Sequence, residues 1–297
     1  MPFDTVILND GTKFPALAFG TGSKWKGTDV TEYVKQALET GFVHIDTAAY
    51  YANEDSVGAG LEQSGLARSD FYITTKYAAG NVHESITTSL NKLGLKRLDL
   101  YLIHSPRGDL PSTWKDFEQA QKDGLTTSIG VSNFTVDHLQ EILKVATVTP
   151  AVNQISFSPY NYHEHKELIK FAAEHNILLE AYSSLTPITR YPGGPVDESV
   201  LAAAKRLGAT PAQVILAWVR SKGVAIVTTS STKEHLKEYL GVAELPPLTE
   251  EEIVAIDKAG VNGPPSVLGA INLSPKNIVT LVLTAGAATY ATLRWVL

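Results

Sequence analysis

The sequence predicts an α/β fold of the (β/α)8, or TIM-barrel, type, with an N-terminal β-hairpin capping the bottom of the barrel. Three observations carry that expectation. Eight short apolar runs of strand character each precede an amphipathic stretch of helical period. No linker or shift of composition divides the series. The glycine fingerprint of a doubly wound dinucleotide fold is missing, because "GTGSKW" places Trp25 where a third glycine belongs.

The elements follow in order. "TVILNDGTKF" reads as the hairpin, turning at Asp10-Gly11. The eight strands are "ALAFG", "FVHID", "FYITTK", "LDLYLIH", "TTSIGVSN", "AVNQI", "ILLEAYS" and "VAIVTTS". After the first strand, Val30, Val34, Ala37 and Leu38 share one face of a helix. Further helices are expected over 54–64, 82–93, 112–122, 135–145 and 163–174. "TPITRYPGGP" reads as a Gly/Pro-rich loop before a helix at 197–207. Thr210-Pro211, a cap followed by proline at the first helical position, opens a helix at 211–221, and another is expected at 233–240.

Composition narrows the function. The 297 residues, 44% of them hydrophobic, suffice for one large core, assigned to 1–275. A net charge of -6 and the lack of a basic tract argue against nucleic acid as a partner. The absence of cysteine excludes disulfides, thiolate metal sites and cysteine nucleophiles. It fits a cytoplasmic protein, and "MPFDTVILNDGT" does not read as a secretory signal. The tail, 276–297, is unusual: 278–293 carries no charge. A membrane span needs about 20 apolar residues, so a buried or loosely ordered terminal segment is favoured over membrane association. A monomer is expected. No metal site is expected, since His163 and His165 are two apart at a helix start and no H-E-x-x-H occurs.

Barrel active sites form where the strands end. Asp46 ends the second strand, Lys76 the third and His104 the fourth. Any one of them could be an ordinary polar terminus, but all converge on one rim. A buried lysine and aspartate are each costly alone, so Asp46 and Lys76 are expected to pair. A phenol, with a pKa of about 10, is a weak acid at neutral pH. The expectation is that Lys76, braced by Asp46, lowers the pKa of a nearby tyrosine. That tyrosine would protonate an oxygen gaining negative charge, with His104 as second donor. Carbonyl reduction needs such a site, together with a hydride from a nicotinamide cofactor. In "HIDTAAYYANED" either Tyr50 or Tyr51 could be the acid.

The ordered set "DTAAYYANEDSVG", "ITTKY", "LDLYLIHSP", "SIGVSNF", "VNQISFSP" and "EAYSSL" resembles the aldo-keto reductase superfamily from about Thr5 to Gly260. The resemblance selects Tyr51, five residues after the aspartate, and implies a catalytic tetrad of Asp46, Tyr51, Lys76 and His104. It also implies that Ser132, Asn133 and Gln154 hold the nicotinamide carboxamide and that Tyr182 stacks on the ring. Ser183, Leu185 and Ser230 would cradle the diphosphate.

One segment departs from the pattern. Many family members surround the 2′-phosphate with I-P-K-S-x-x-x-x-R, whereas this chain has "VTTSSTKEH", with Thr229 at the lysine position and His235 at the arginine position. Lys233 and the hydroxyls of Ser230, Ser231 and Thr232 are expected to compensate in part. NADPH is the expected cofactor and NADH stays open. Glu238 matches a glutamate that contacts adenine in relatives, while Tyr239 replaces their asparagine. Trp25 and Tyr77, with His104, are expected to line the substrate pocket, Trp114 more weakly. The "TTSS" variant and the short loop "SPRGDLPS" lean towards the fungal-type reductases of conjugated ketones and ketoacid derivatives. The expected function is reduction of aldehydes or activated ketones. A cofactor-reading subunit with little turnover is the alternative, and a lyase using Lys76 as a Schiff-base nucleophile is a third reading.

Overall fold

A computed structural model describes residue 3 and residues 5–264. The expected tail, 276–297, lies outside the described residues. Strands β1 (Thr5–Ile7) and β2 (Lys13–Pro15) pair antiparallel, with Val6 opposite Phe14. Gly11 turns the chain at a φ of 83°, and Asp10 Oδ1 accepts the Thr12 amide at 3.0 Å. The other eight strands form a closed parallel barrel. They are β3 (Leu17–Gly20), β4 (His44–Asp46), β5 (Tyr72–Tyr77), β6 (Leu98–Ile103), β7 (Thr126–Ser132), β8 (Val152–Ser156), β9 (Leu178–Tyr182) and β10 (Ala225–Thr228). Closure is made by β10 on β3, with Val227 opposite Ala18. The expected barrel is therefore the observed one.

The hairpin seals the amino ends of the strands. Phe14 is fully buried, edge-on to His44 and Tyr72 at 5.0 and 5.4 Å, among Leu100, Ala151 and Ala225. Ser128 Oγ donates to Asp10 Oδ2 at 2.6 Å, pinning the turn to β7. His44 is buried against the same plug. Its Nδ1 donates to the Pro15 carbonyl at 3.0 Å, and its Nε2 accepts from Thr74 Oγ1 at 2.8 Å. Burial pulls its pKa down to about 4, so the ring is neutral.

Around the barrel lie α1 (Thr31–Thr40), α2 (Glu54–Gln63), α3 (Val82–Leu93), α4 (Leu110–Lys122), α5 (Val136–Leu143) and α6 (Lys166–Glu174). They are followed by α7 (Thr186–Thr189), α8 (Asp197–Leu207), α9 (Pro211–Ser221), α10 (Lys233–Leu240) and α11 (Glu250–Gly260). Two of these depart from expectation. The loop read at "TPITRYPGGP" begins with the short helix α7, whose Thr186 and Thr189 hydroxyls donate back to the carbonyls of Ser183 and Leu185. Helix α11 was not anticipated, although its start is written in Thr249 and Glu252. The Thr249 hydroxyl accepts the Glu252 amide, and the Glu252 carboxylate accepts the Thr249 amide. No helix among the described residues is long and apolar enough to cross a membrane.

Candidate active site

Strand β4 ends on Asp46 and β5 carries Lys76, two residues beyond the pairing of Asp46 with Thr74. Lys76 is fully buried and Asp46 is 2% exposed, and Nζ donates to Oδ1 at 2.6 Å. A second bond runs from Nζ to the Thr47 carbonyl at 2.9 Å. Burial alone would lower the lysine's pKa, but the Asp46 charge, followed by Tyr51, outweighs it and the pKa is raised. Lys76 therefore remains an ammonium. A Schiff-base role would need the opposite.

Tyr51 ends a single 3-10 turn, Ala49–Tyr51, after β4. Buried Asn53 fixes that turn by donating to the carbonyls of Thr21 and Trp25 at 2.9 and 3.1 Å. Lys76 Nζ lies 5.2 Å from the Tyr51 ring centroid. The His104 ring stands edge-on to Tyr51 at 5.6 Å. Tyr50 also faces His104, but it is 63% exposed, under Lys26 at 4.2 Å. Tyr51, not Tyr50, shares a cavity with Asp46. Gly22 makes room for it, since a Cβ there would come within 2.7 Å of Tyr51 Cζ. The sequence reading passed over this glycine, treating "GTG" only as a failed phosphate motif.

The electrostatics correct one expectation. The Tyr51 pKa is raised, not lowered, because burial outweighs the opposing effect of the Lys76 charge. The phenol keeps its proton. His104 is pulled down to about 4 by burial and then by Lys76, so its ring is neutral at physiological pH and can donate one N–H.

Next to this cluster is a cavity of about 230 Å³, lined among others by Gln154, Tyr182, Ser183, Ser184, Leu185 and Thr229. Ser132 Oγ donates to the Gln154 carbonyl at 2.8 Å. Asn133, held at a φ of 64°, donates to the His104 carbonyl at 2.9 Å, and its Oδ1 accepts from Tyr182 Oη at 2.8 Å. The Gln154 amide nitrogen donates to Asp46 Oδ2 at 2.8 Å and to Glu180 Oε2 at 2.7 Å. Both of its hydrogens are thus turned into the barrel, and its oxygen is left for a ligand. Ser184 Oγ and Thr229 Oγ1 are buried without a hydrogen-bond partner, and both residues line the cavity. Orphaned hydroxyls in a concave wall fit a polar ligand that completes them. A dinucleotide with its nicotinamide near Gln154 suits this donor and acceptor set.

Several expected contacts sit elsewhere. Ser230 Oγ lies 3.2 Å from His235 Nδ1, and neither residue lines the cavity. The Ser231 carbonyl accepts from Gln36. Lys233 is paired with Glu39 at 2.9 Å. Glu238 is bonded to the Thr210 hydroxyl and lies outside the cavity lining. Trp25 is buried against Tyr33, their rings stacked at 4.5 Å. Trp114 belongs to the core, its Nε1 donating to the Val148 carbonyl. Neither tryptophan lines the cavity. Tyr77 packs on Phe117 and donates to the Gly80 carbonyl. Ser184, Thr228, Arg190 and Tyr239, none of them expected as contacts, do line it. Among the described residues no cluster of side chains suits a metal ion.

Comparison with known proteins finds relatives over most of the chain. The model of the Aldo/keto reductase family matches residues 16–190 and 194–260. An NAD/NADP-dependent indole-3-acetaldehyde reductase of Schizosaccharomyces pombe is 40% identical over 250 residues, 79% of this chain and 88% of the relative. An NADPH-dependent alpha-keto amide reductase of Saccharomyces cerevisiae is 38% identical over 285 residues, 87% of this chain and 91% of the relative. The crystal structure of a Bombyx mori aldo-keto reductase in complex with NADP superposes with a TM-score of 0.80 at 29% identity, covering 86% of this chain and 92% of the other. The chain belongs to the aldo/keto reductase family.

Proposed function

We propose that this protein reduces aldehydes or activated ketones to alcohols with a reduced nicotinamide dinucleotide. The observation that carries the reading is one protonated phenol, Tyr51, set among a buried ammonium, a neutral imidazole and the cavity. The cofactor supplies the hydride. Tyr51 Oη delivers the proton to the carbonyl oxygen as charge develops there. The raised pKa keeps that proton in place until it is needed, and the Lys76 ammonium stabilises the phenolate left behind. His104 directs an N–H at the same oxygen. Asp46 anchors Lys76, the Gln154 oxygen would receive the nicotinamide amide, and Ser132 and Asn133, outside the cavity lining, brace Gln154 and Tyr182 from behind. Three related enzymes are named for indole-3-acetaldehyde, alpha-keto amides and glyoxal, all carbonyls of small molecules, and the last two are activated by a neighbouring carbonyl.

The test is cofactor oxidation followed with a dicarbonyl and an aromatic aldehyde, alongside binding titrations with NADPH and NADH. Tyr51→Phe is expected to lower turnover about 10²–10⁴-fold while leaving cofactor affinity within a factor of two or so. Undiminished turnover in Tyr51→Phe would remove the assignment.

A further inference from the structure

The two ends of a side-chain amide have nearly the same shape, so its partners decide which end meets a ligand. Gln154 is such a group. It stands on β8 opposite Glu180 on β9, and both side chains leave the same face of the sheet. The Gln154 amide nitrogen is held between two acids, donating to Asp46 Oδ2 at 2.8 Å and to Glu180 Oε2 at 2.7 Å. Asp46 Oδ1 is taken by Lys76 at 2.6 Å. Asp46 Oδ2 alone would hold one of the two amide hydrogens. The other would be free to turn into the cavity that Gln154 lines, and the amide would offer a donor there as readily as an acceptor.

Glu180 removes that freedom. It is fully buried and takes no part in the proton transfer. An apolar side chain would fill the same space without burying an acid, so packing does not account for a carboxyl here. Burial pushes its pKa up to about 8, which keeps it neutral at pH 7. Its Oε1 is buried without a hydrogen-bond partner, whereas Oε2 receives the Gln154 N–H. The acid proton therefore falls to Oε1, and Oε2 stays an acceptor.

On the reading that this cavity takes the nicotinamide cofactor, we propose that Glu180 is a positioning residue. With Asp46 it ties down both hydrogens of the Gln154 amide, so that the cavity meets only an acceptor and selects a cofactor ring that carries an amide N–H. A ring without that donor leaves the Gln154 oxygen unpaired.

The experiment compares NADPH with its reduced 3-acetylpyridine analogue, in which a methyl ketone replaces the carboxamide and the N–H donors are lost. Protein fluorescence titrations give both affinities. Wild type should bind the analogue about tenfold more weakly, as expected for one buried acceptor left unpaired. Glu180→Leu and Glu180→Ala each free one Gln154 hydrogen to reach the ketone oxygen, and the ratio should shrink to about twofold. Either truncation that folds suffices. Glu180→Gln sets an amide oxygen where Oε2 stood and should keep the wild-type ratio. The ratio is decisive because a loosened barrel would weaken both cofactors alike. An unchanged ratio in the truncated variants would overturn the proposal, as would its loss in Glu180→Gln. A wild type that binds both cofactors equally would overturn it while leaving the reductase reading intact. A wild type that binds neither would remove both.

Discussion

Replacing Lys76 by methionine separates what the buried amine does for the fold from what it does for the reaction. Its Nζ lies 2.6 Å from Asp46 Oδ1. At an effective dielectric constant of about 20, that separation corresponds to ~6 kcal/mol of attraction, before the desolvation of both ions is subtracted. Methionine fills much the same volume but strands the carboxylate, which is 2% exposed. Removing one partner of a buried pair typically costs about 3–5 kcal/mol. Gln154 still donates to Asp46 Oδ2 at 2.8 Å, which places the expected loss near the lower end, about 3 kcal/mol. Domains of this kind hold about 5–15 kcal/mol in reserve, so the variant should fold. Urea titration gives the stability, and cofactor oxidation gives turnover, expected to fall at least about 10²-fold because the phenolate loses its counter-charge. Adding Asp46→Asn removes the stranded charge, and the double variant should regain most of the stability but none of the turnover. If turnover returns together with stability, Lys76 is only a strut and the proposed proton transfer is wrong.

Two further outcomes follow from the same geometry. Gly22→Ala should force the Tyr51 ring aside, because the added methyl would sit 2.7 Å from Cζ. Misplacing a reacting group by about 1 Å costs about 10²-fold, so turnover should fall with the circular dichroism spectrum unchanged; a fully active variant would show that the ring has room to spare. His44 titrates at about 4 in the fold against 6.5 when free, so the unfolded chain binds more protons between these values. Its contribution is complete above pH 6.5 and is lost as the pH falls towards 4, amounting to about 3 kcal/mol. His104 acts in the same direction over the same window. Urea midpoints measured across that range should drop less steeply for His44→Gln than for wild type. Equal slopes would mean that the buried ring is not the acid-labile group.

What the sequence makes legible is whatever depends on position along a strand. Asp46, Lys76 and His104 are read directly because each stands where a short apolar run stops, and barrel strands bring their ends to one rim. The choice between Tyr50 and Tyr51 is not of this kind. It depends on a turn held by Asn53, which buries one ring and leaves the other under Lys26, and periodicity carries no trace of that. Trp25 shows the complementary failure. An aromatic after a strand reads as a pocket wall, but Tyr33 on α1 offers it a stacking partner and draws it into the core. Lys233 is lost to Glu39 for a similar reason, because the two are 194 positions apart and meet only once the barrel closes. Helix α11, in contrast, was legible: Thr249 and Glu252 spell a capping box, and Ile253 and Ile256 sit three apart behind it.

A further buried acid, which no motif points to, borders the Asp46–Lys76 pair. Glu180 is fully buried on β9, one Gln154 amide away from Asp46. Burial, reinforced by the Asp46 charge, pushes its pKa up to about 8, so at neutral pH it carries a proton. The barrel floor then holds one ion pair, Asp46 with Lys76, and one neutral acid, and no excess negative charge faces the phenol. Ionising Glu180 would place a second anion near Lys76, cancel part of the field the ammonium exerts at Tyr51, and make the phenol a poorer acid. The same step would weaken the fold. Between 4.5 and about 8 the folded chain holds a proton that the unfolded chain has released, so stability falls as pH rises through that range. Fold and chemistry therefore favour the same protonation state, in which Gln154 keeps both hydrogens on the acids and its oxygen is left for a ligand.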